Sequence, residues 1–121
     1  MSSAPKTTTC VVLTSSVVSL ADQKNQMMQL LQLLRGKRIE FKEIDCGLDE
    51  NKELRDFYFE KSQVRANYPQ VFLQTTLDVK YIGSFAEIEQ LNEMCDIPKD
   101  ILEANNIQTL ETVFADVARR L

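Results

Sequence analysis

The stretch Thr8–Lys24, "TTCVVLTSSVVSLADQK", has the form of a buried strand that turns through a short polar loop into a helix. In open α/β proteins that junction often holds the reactive groups. Here the loop offers Ser16 and Ser19 and no cysteine or glycine-rich turn, and the chain has no histidine at all. Without an imidazole, Ser-His and Cys-His nucleophiles and histidine metal sites are excluded. With no base beside them, Ser16 and Ser19 are expected to serve as turn and helix cap. The three cysteines, Cys10, Cys46 and Cys95, are odd in number and widely spaced. They form neither a disulfide framework nor a zinc pattern. Cys10 is expected in the core, Cys46 more exposed at a strand end, and Cys95 half-buried after a helix. No catalytic residue and no metal ligand is expected.

The elements that would carry these residues follow from periodicity. The chain has 121 residues, 44% hydrophobic and 26% charged, which suits one soluble domain with a core of its own. Residues 1–8 read as a flexible leader and 9–121 as the domain. The formal net charge of −4 disfavours nucleic acid, and no apolar run approaches the ~18 residues of a membrane span. The expected compartment is the cytoplasm.

"CVVL" at Cys10 is a β-branched run expected of a strand buried on both faces. From Ser19, Leu20, Met27, Leu31 and Leu34 share a helical face that Met28, Leu30 and Leu33 widen. Ser19 is the expected cap, and Gly36 the left-handed residue at the end. "RIEFKEID" from Arg38 is a second strand, with Ile39 and Phe41 on one side. "DENKELRDFYFEK" from Asp49 is a second helix, with Leu54, Phe57 and Tyr58 inward. After a loop, "QVFL" at Gln70 and "VKYI" at Val79 form a hairpin ended by Gly83. Ser84 and Glu87 have capping-box spacing, with Phe85, Ile88 and Leu91 inward. Another turn or two of helix follows Pro98. The last expected helix carries Leu110, Val113, Phe114, Val117, Ala118 and Leu121 as one stripe, expected to pack inward.

The order strand, helix, strand, helix, strand, strand, helix, with helix added at the end, is that of a thioredoxin-like fold. It predicts a four-stranded mixed sheet flanked by helices. Pro69, after Tyr68 and before a short buried strand, is expected to be cis, facing the loop after the first strand. The basic run "RGKR" (Arg35–Arg38) follows a helix C-terminus and is expected to be a solvated turn.

Four motifs, "VLTSSVVSLADQKNQ", "GKRIEFKEID", "YPQVF" and "YIGSF", resemble in order and spacing the glutaredoxin-like proteins of the Src-homology-3-binding glutamic-acid-rich-like family. The resemblance spans roughly Val11–Phe85 and resumes in "LEANNIQTLETVF" if residues around Met94–Asp100 are an insertion. It implies a glutaredoxin-like domain whose two reactive-cysteine positions fall at about Val18 and Ala21, where no thiolate can form. It also implies a ligand or partner cleft built from Ser16, Val18, Tyr68, Pro69, Gln70, Gly83 and Ser84. The proline-rich peptide of that family has no match here, so binding to Src-homology-3 domains is not expected.

Two functions follow as expectations. One is a redox-inactive adaptor or scaffold module that binds a protein partner through the old cleft or the C-terminal part, without a cofactor. The alternative is a weak glutathione- or thiol-binding protein with a residual single-cysteine redox role.

Overall fold

A computed structural model describes residues 8–120. The strands are β1 (Thr9–Thr14), β2 (Phe41–Asp45), β3 (Gln70–Gln74) and β4 (Val79–Gly83). The helices are α1 (Ala21–Gly36), α2 (Lys52–Ser62), α3 (Phe85–Met94), α4 (Lys99–Ala104) and α5 (Leu110–Val113). The sheet runs in the order β2-β1-β3-β4. β1 and β2 are parallel, with Val12 opposite Glu43. β1–β3 and β3–β4 are antiparallel, with Val12 opposite Val71 and Phe72 opposite Tyr81. The result is an α/β domain with a mixed four-stranded sheet between helices. Among the described residues no helix is long and apolar enough to cross a membrane.

β1 explains why its sequence shows no polar alternation. Cys10 and Val12 enter one core with Leu30, Leu34, Ile88, Leu110 and Phe114. Val11 and Leu13 point the other way, into a second core with Ile44, Tyr58, Phe59, Tyr68 and Phe72. Successive strand side chains face opposite sides, so a strand covered on both must be apolar throughout.

Several local expectations differ from the structure. Leu20, and not Ser19, stands at the N-cap of α1, and no side-chain cap bond forms there. The buried residues of α1 are Met27, Leu30 and Leu34, whereas Leu20 and Met28 face solvent. Gly36 is the last helical residue, and the left-handed conformation falls on Arg38 at φ 60°. Tertiary pairing sets that reversal, since the Arg38 carbonyl accepts the Arg120 N–H at 2.6 Å.

A 3-10 turn, Asp49–Asn51, precedes α2, which buries Tyr58 and Phe59 and leaves Leu54 and Phe57 partly exposed. The last expected helix is a single turn. Residues 114–116 form a turn, after which Val117 is bridged to Thr8 and Arg119 to Ile39. Leu110, Phe114 and Val117 are nevertheless buried as expected, and Leu121 lies outside the described residues. The Thr8 bridge also makes Thr8 part of the fold, whereas 1–7 of the expected leader lie outside the described residues.

Candidate functional site

The loops at the carboxyl ends of β1 and β2 meet, as such loops do in open α/β sheets. Asp45, the last residue of β2, holds them together. Its Oδ1 accepts the backbone N–H of Ser16 and of Gly47, each at 2.9 Å. The approach is close at Gly47, where a β-carbon would stand 3.1 Å from both Ser16 Oγ and Val17 Cγ2 and those side chains would have to give by a few tenths of an ångström. Partial burial pushes the Asp45 carboxyl up, but the Ser16 N–H, the Ser16 hydroxyl and the Gly47 N–H together hold it below its ordinary value of 3.8.

The outer surface of this loop pair carries three exposed aliphatic side chains among polar ones. Val17 is 72% exposed, Leu20 61% and Leu48 43%. Val18 turns inward against the core that contains Tyr68 and Phe72. Ser16 and Ser19 face solvent.

No available thiol stands near. Cys46 was expected to be more exposed than the other cysteines, yet it is only 4% exposed, because it folds under the loop pair into the second core. Burial pushes its thiol up to about 11, and the repulsion of Asp45 adds to that. A Tyr68 hydrogen bond and Arg55 only partly offset the rise. Cys10 lies in the interior of β1, and burial raises it to about 12. Cys95 is half-buried after α3, as expected, with its Sγ 3.8 Å from the Leu91 carbonyl. A thiol at such values is almost wholly protonated at neutral pH and is not a nucleophile. Among the described residues no group of three or more cysteine or acidic side chains could hold a metal ion.

The Tyr68–Pro69 bond is cis, as expected from its position before β3. Tyr68 and Pro69 are buried beside the start of α1, and the Tyr68 N–H donates to Gln23 Oε1 at 3.3 Å. Sequence reasoning missed Gln23. Its signal was only a polar residue in the first turns of a helix that the loop was expected to face.

Gln70 was expected to line a cleft. Its side chain is instead fully buried, with Nε2 donating to the carbonyls of Val64 and Asn67 at 3.0 and 2.9 Å. It braces the loop before β3. The reason is strand phase, since Gln70 begins a strand covered on both faces.

Gly83 pairs with Val71 and has φ +148°, and a β-carbon there would lie 2.6 Å from Glu87 Cβ. Ser84 and Glu87 form the expected capping box, and the Ser84 N–H donates to Glu87 Oε1 at 2.7 Å. The structure therefore brings Ser16, Val18, Tyr68 and Pro69 around the start of α1, and places Gly83 and Ser84 beyond β3. It gives Gln70 to the interior.

The arrangement describes an α/β protein whose loop pair, at the carboxyl end of its parallel strands, exposes aliphatic side chains and keeps its one cysteine, Cys46, buried. No protein-family model and no curated relative matches the chain. Among solved structures, an actin interacting protein of C. albicans, Aip5, is similar at a TM-score of 0.53. The two share 24% identity, over 73% of this chain and 82% of that one. At that identity the similarity concerns the backbone and transfers no residue roles.

Proposed function

We propose that this chain is a redox-inactive, thioredoxin-like protein-interaction module of the glutaredoxin-like type that its motifs resemble, and that it docks a protein partner on the β1–α1 and β2–α2 loops. The strand order and the cis-proline before β3 support the fold reading. The observation that carries the function is the exchange of chemistry at the loop pair. Val18 and Ala21 stand about where the resemblance puts the reactive thiols, Val17, Leu20 and Leu48 face solvent beside them, and the nearby Cys46 is buried and protonated. Covering the exposed aliphatic side chains on docking removes apolar surface from water, worth about 25 cal/mol per Å² before the cost of association.

Glutathione is disfavoured as a ligand. Its two backbone anchors, as the resemblance implies them, are satisfied by the protein's own side chains. Gln23 takes the Tyr68 N–H, and Glu87 takes the Ser84 N–H. A ligand would have to displace both, and a typical intramolecular hydrogen bond contributes about 0.5–1.5 kcal/mol.

The similar solved structure is called an actin interacting protein, which makes actin the first partner to test. The purified domain should bind purified actin in monomer binding or filament co-sedimentation. Val17→Asp combined with Leu48→Asp should weaken that binding at least tenfold, with an unchanged circular dichroism spectrum. A disulfide reductase assay with glutathione should show background alone. Robust turnover lost in Cys46→Ser would overturn the non-catalytic reading, and actin binding indifferent to the double variant would move docking off this surface.

A further inference from the structure

At the opposite end of the sheet, where β1 and β2 begin, lies a cavity of about 610 Å³. That is within the size range of ligand sites. Three cations line it from three distant parts of the chain. Arg35 comes from the last turn of α1, Lys42 from β2, and Arg120 from the C-terminal segment. Backbone pairing brings them together. The Glu40 N–H donates to the Ala118 carbonyl at 3.0 Å, and the Arg120 N–H to the Arg38 carbonyl. Neither basic stretch alone suggested a site, and only the fold joins them.

The charges in this cavity differ from those around it. Arg119, the neighbour of Arg120, is fully engaged. It meets Glu111 at 3.3 Å and the carbonyls of Phe114 and Val117 at 3.2 and 3.1 Å. Among the described residues the ion pairs are Arg55–Asp56, Lys99–Glu103 and Arg119–Glu111, so none uses Arg35, Lys42 or Arg120. Arg35 is held in place by its guanidinium, 5.7 Å from the centre of the Phe41 ring. In a chain of net charge −4, three cations with no ion-pair partner among the described residues thus line one cavity.

The rim also selects among anions. Glu40 and Glu43 line the same cavity, and Glu43 is fixed by the Thr14 hydroxyl at 2.8 Å. Alternating signs repel a dense polyanion such as a nucleic acid backbone. They suit carboxylates spaced along a peptide. β2 is also the edge of the sheet, with β1 on one side only. Among the described residues no strand pairs with its outer edge, and such an edge can take up an extended chain.

We propose that this cavity binds an acidic, extended peptide segment of a partner protein, with carboxylates met by Arg35, Lys42 and Arg120 and backbone laid along the free edge of β2. The site is separate from the loop pair and does not rest on the docking proposed there. A fluorescein-labelled octapeptide of alternating Glu and Val, titrated into the whole chain, should bind with an affinity that falls as salt rises. The amide signals of Lys42, Glu43, Ala118 and Arg120 should shift, and those of Ser16 and Val17 should not. Lys42→Glu with Arg120→Glu should weaken binding at least tenfold, and Val17→Asp should leave it unchanged. If the charge-reversed variant fails to fold, Lys42→Gln with Arg120→Gln is measured in its place and should weaken binding at least threefold. Equal affinity of the variant that folds, or an absence of shifts at those four amides, would overturn the site. Stronger displacement by a short oligonucleotide than by unlabelled peptide would overturn the choice of a peptide.

Discussion

Asp45 joins the two loops through its carboxylate, beside the Cys46 N–H that donates to the Thr14 carbonyl at 2.8 Å. Its folded-state pKa is lowered, so at acid pH the unfolded chain binds more protons than the folded one. The stability it contributes is therefore fully present above the unfolded value and is lost as pH falls through the folded one. We predict that the Ser16 and Gly47 amide signals titrate together with a midpoint below 3.8, the ordinary value. Asp45→Asn should remove that titration. A midpoint at or above the ordinary value would show that Asp45 does not tie the loops. Only part of this residue's role was legible beforehand. Its place at a strand end follows from the strand pattern, whereas its bonds to Ser16 and Gly47 join two separate loops.

At the scale of elements, α1 begins without a side-chain cap, as α2 and α4 do. Leu20 stands at the N-cap with its side chain largely in solvent. A serine or aspartate there supplies an acceptor for a free N–H of the first turn, worth about 0.5–2 kcal/mol. Leu20→Ser is therefore expected to raise the thermal midpoint, at about 2–8 °C per kcal/mol for a domain of this size. It should also weaken partner binding at the loop pair. An unchanged or lower midpoint would show that the helix start is already satisfied, and unchanged binding would remove Leu20 from the docking surface.

The last element shows how far periodicity carries. Leu110, Phe114 and Val117 lie at helical spacing, and all three are buried. Yet the helix ends at Val113, because the following segment is hydrogen-bonded to Thr8 on one side and to Glu40 and Arg38 on the other. Spacing identified which side chains go inside. The backbone path depended on partners far away in the chain.

For the molecule as a whole, the C-terminal stretch is part of the main core. Phe114 is fully buried with Cys10, Val12, Leu34 and Ile88. Phe114→Ala should cost about 3–5 kcal/mol in urea denaturation, a large share of the ~5–15 kcal/mol typical of a domain. A loss below about 1 kcal/mol would show that the C-terminal stretch is an appendage free to serve as a docking helix. The same packing separates the two proposed surfaces, with aliphatic side chains exposed on the loops where β1 and β2 end and the cation-lined cavity where they begin.

The amino-acid sequence by itself determined the number and order of strands, the two-faced burial of β1, the capping box at Ser84 and the absence of histidine chemistry. These properties are local, written in apolar runs, side-chain type and short spacings. Tertiary structure decided the rest. Cys46 reads as a strand-end cysteine, and packing under the loop pair makes it inert. Gln70 reads as a cleft residue, and the phase of a doubly covered strand turns it inward. Arg35, Lys42 and Arg120 are ordinary surface cations in the chain. They face one cavity only because the C-terminal segment pairs with the residues before β2, and such pairing depends on long-range hydrogen bonds that no local pattern of residues encodes.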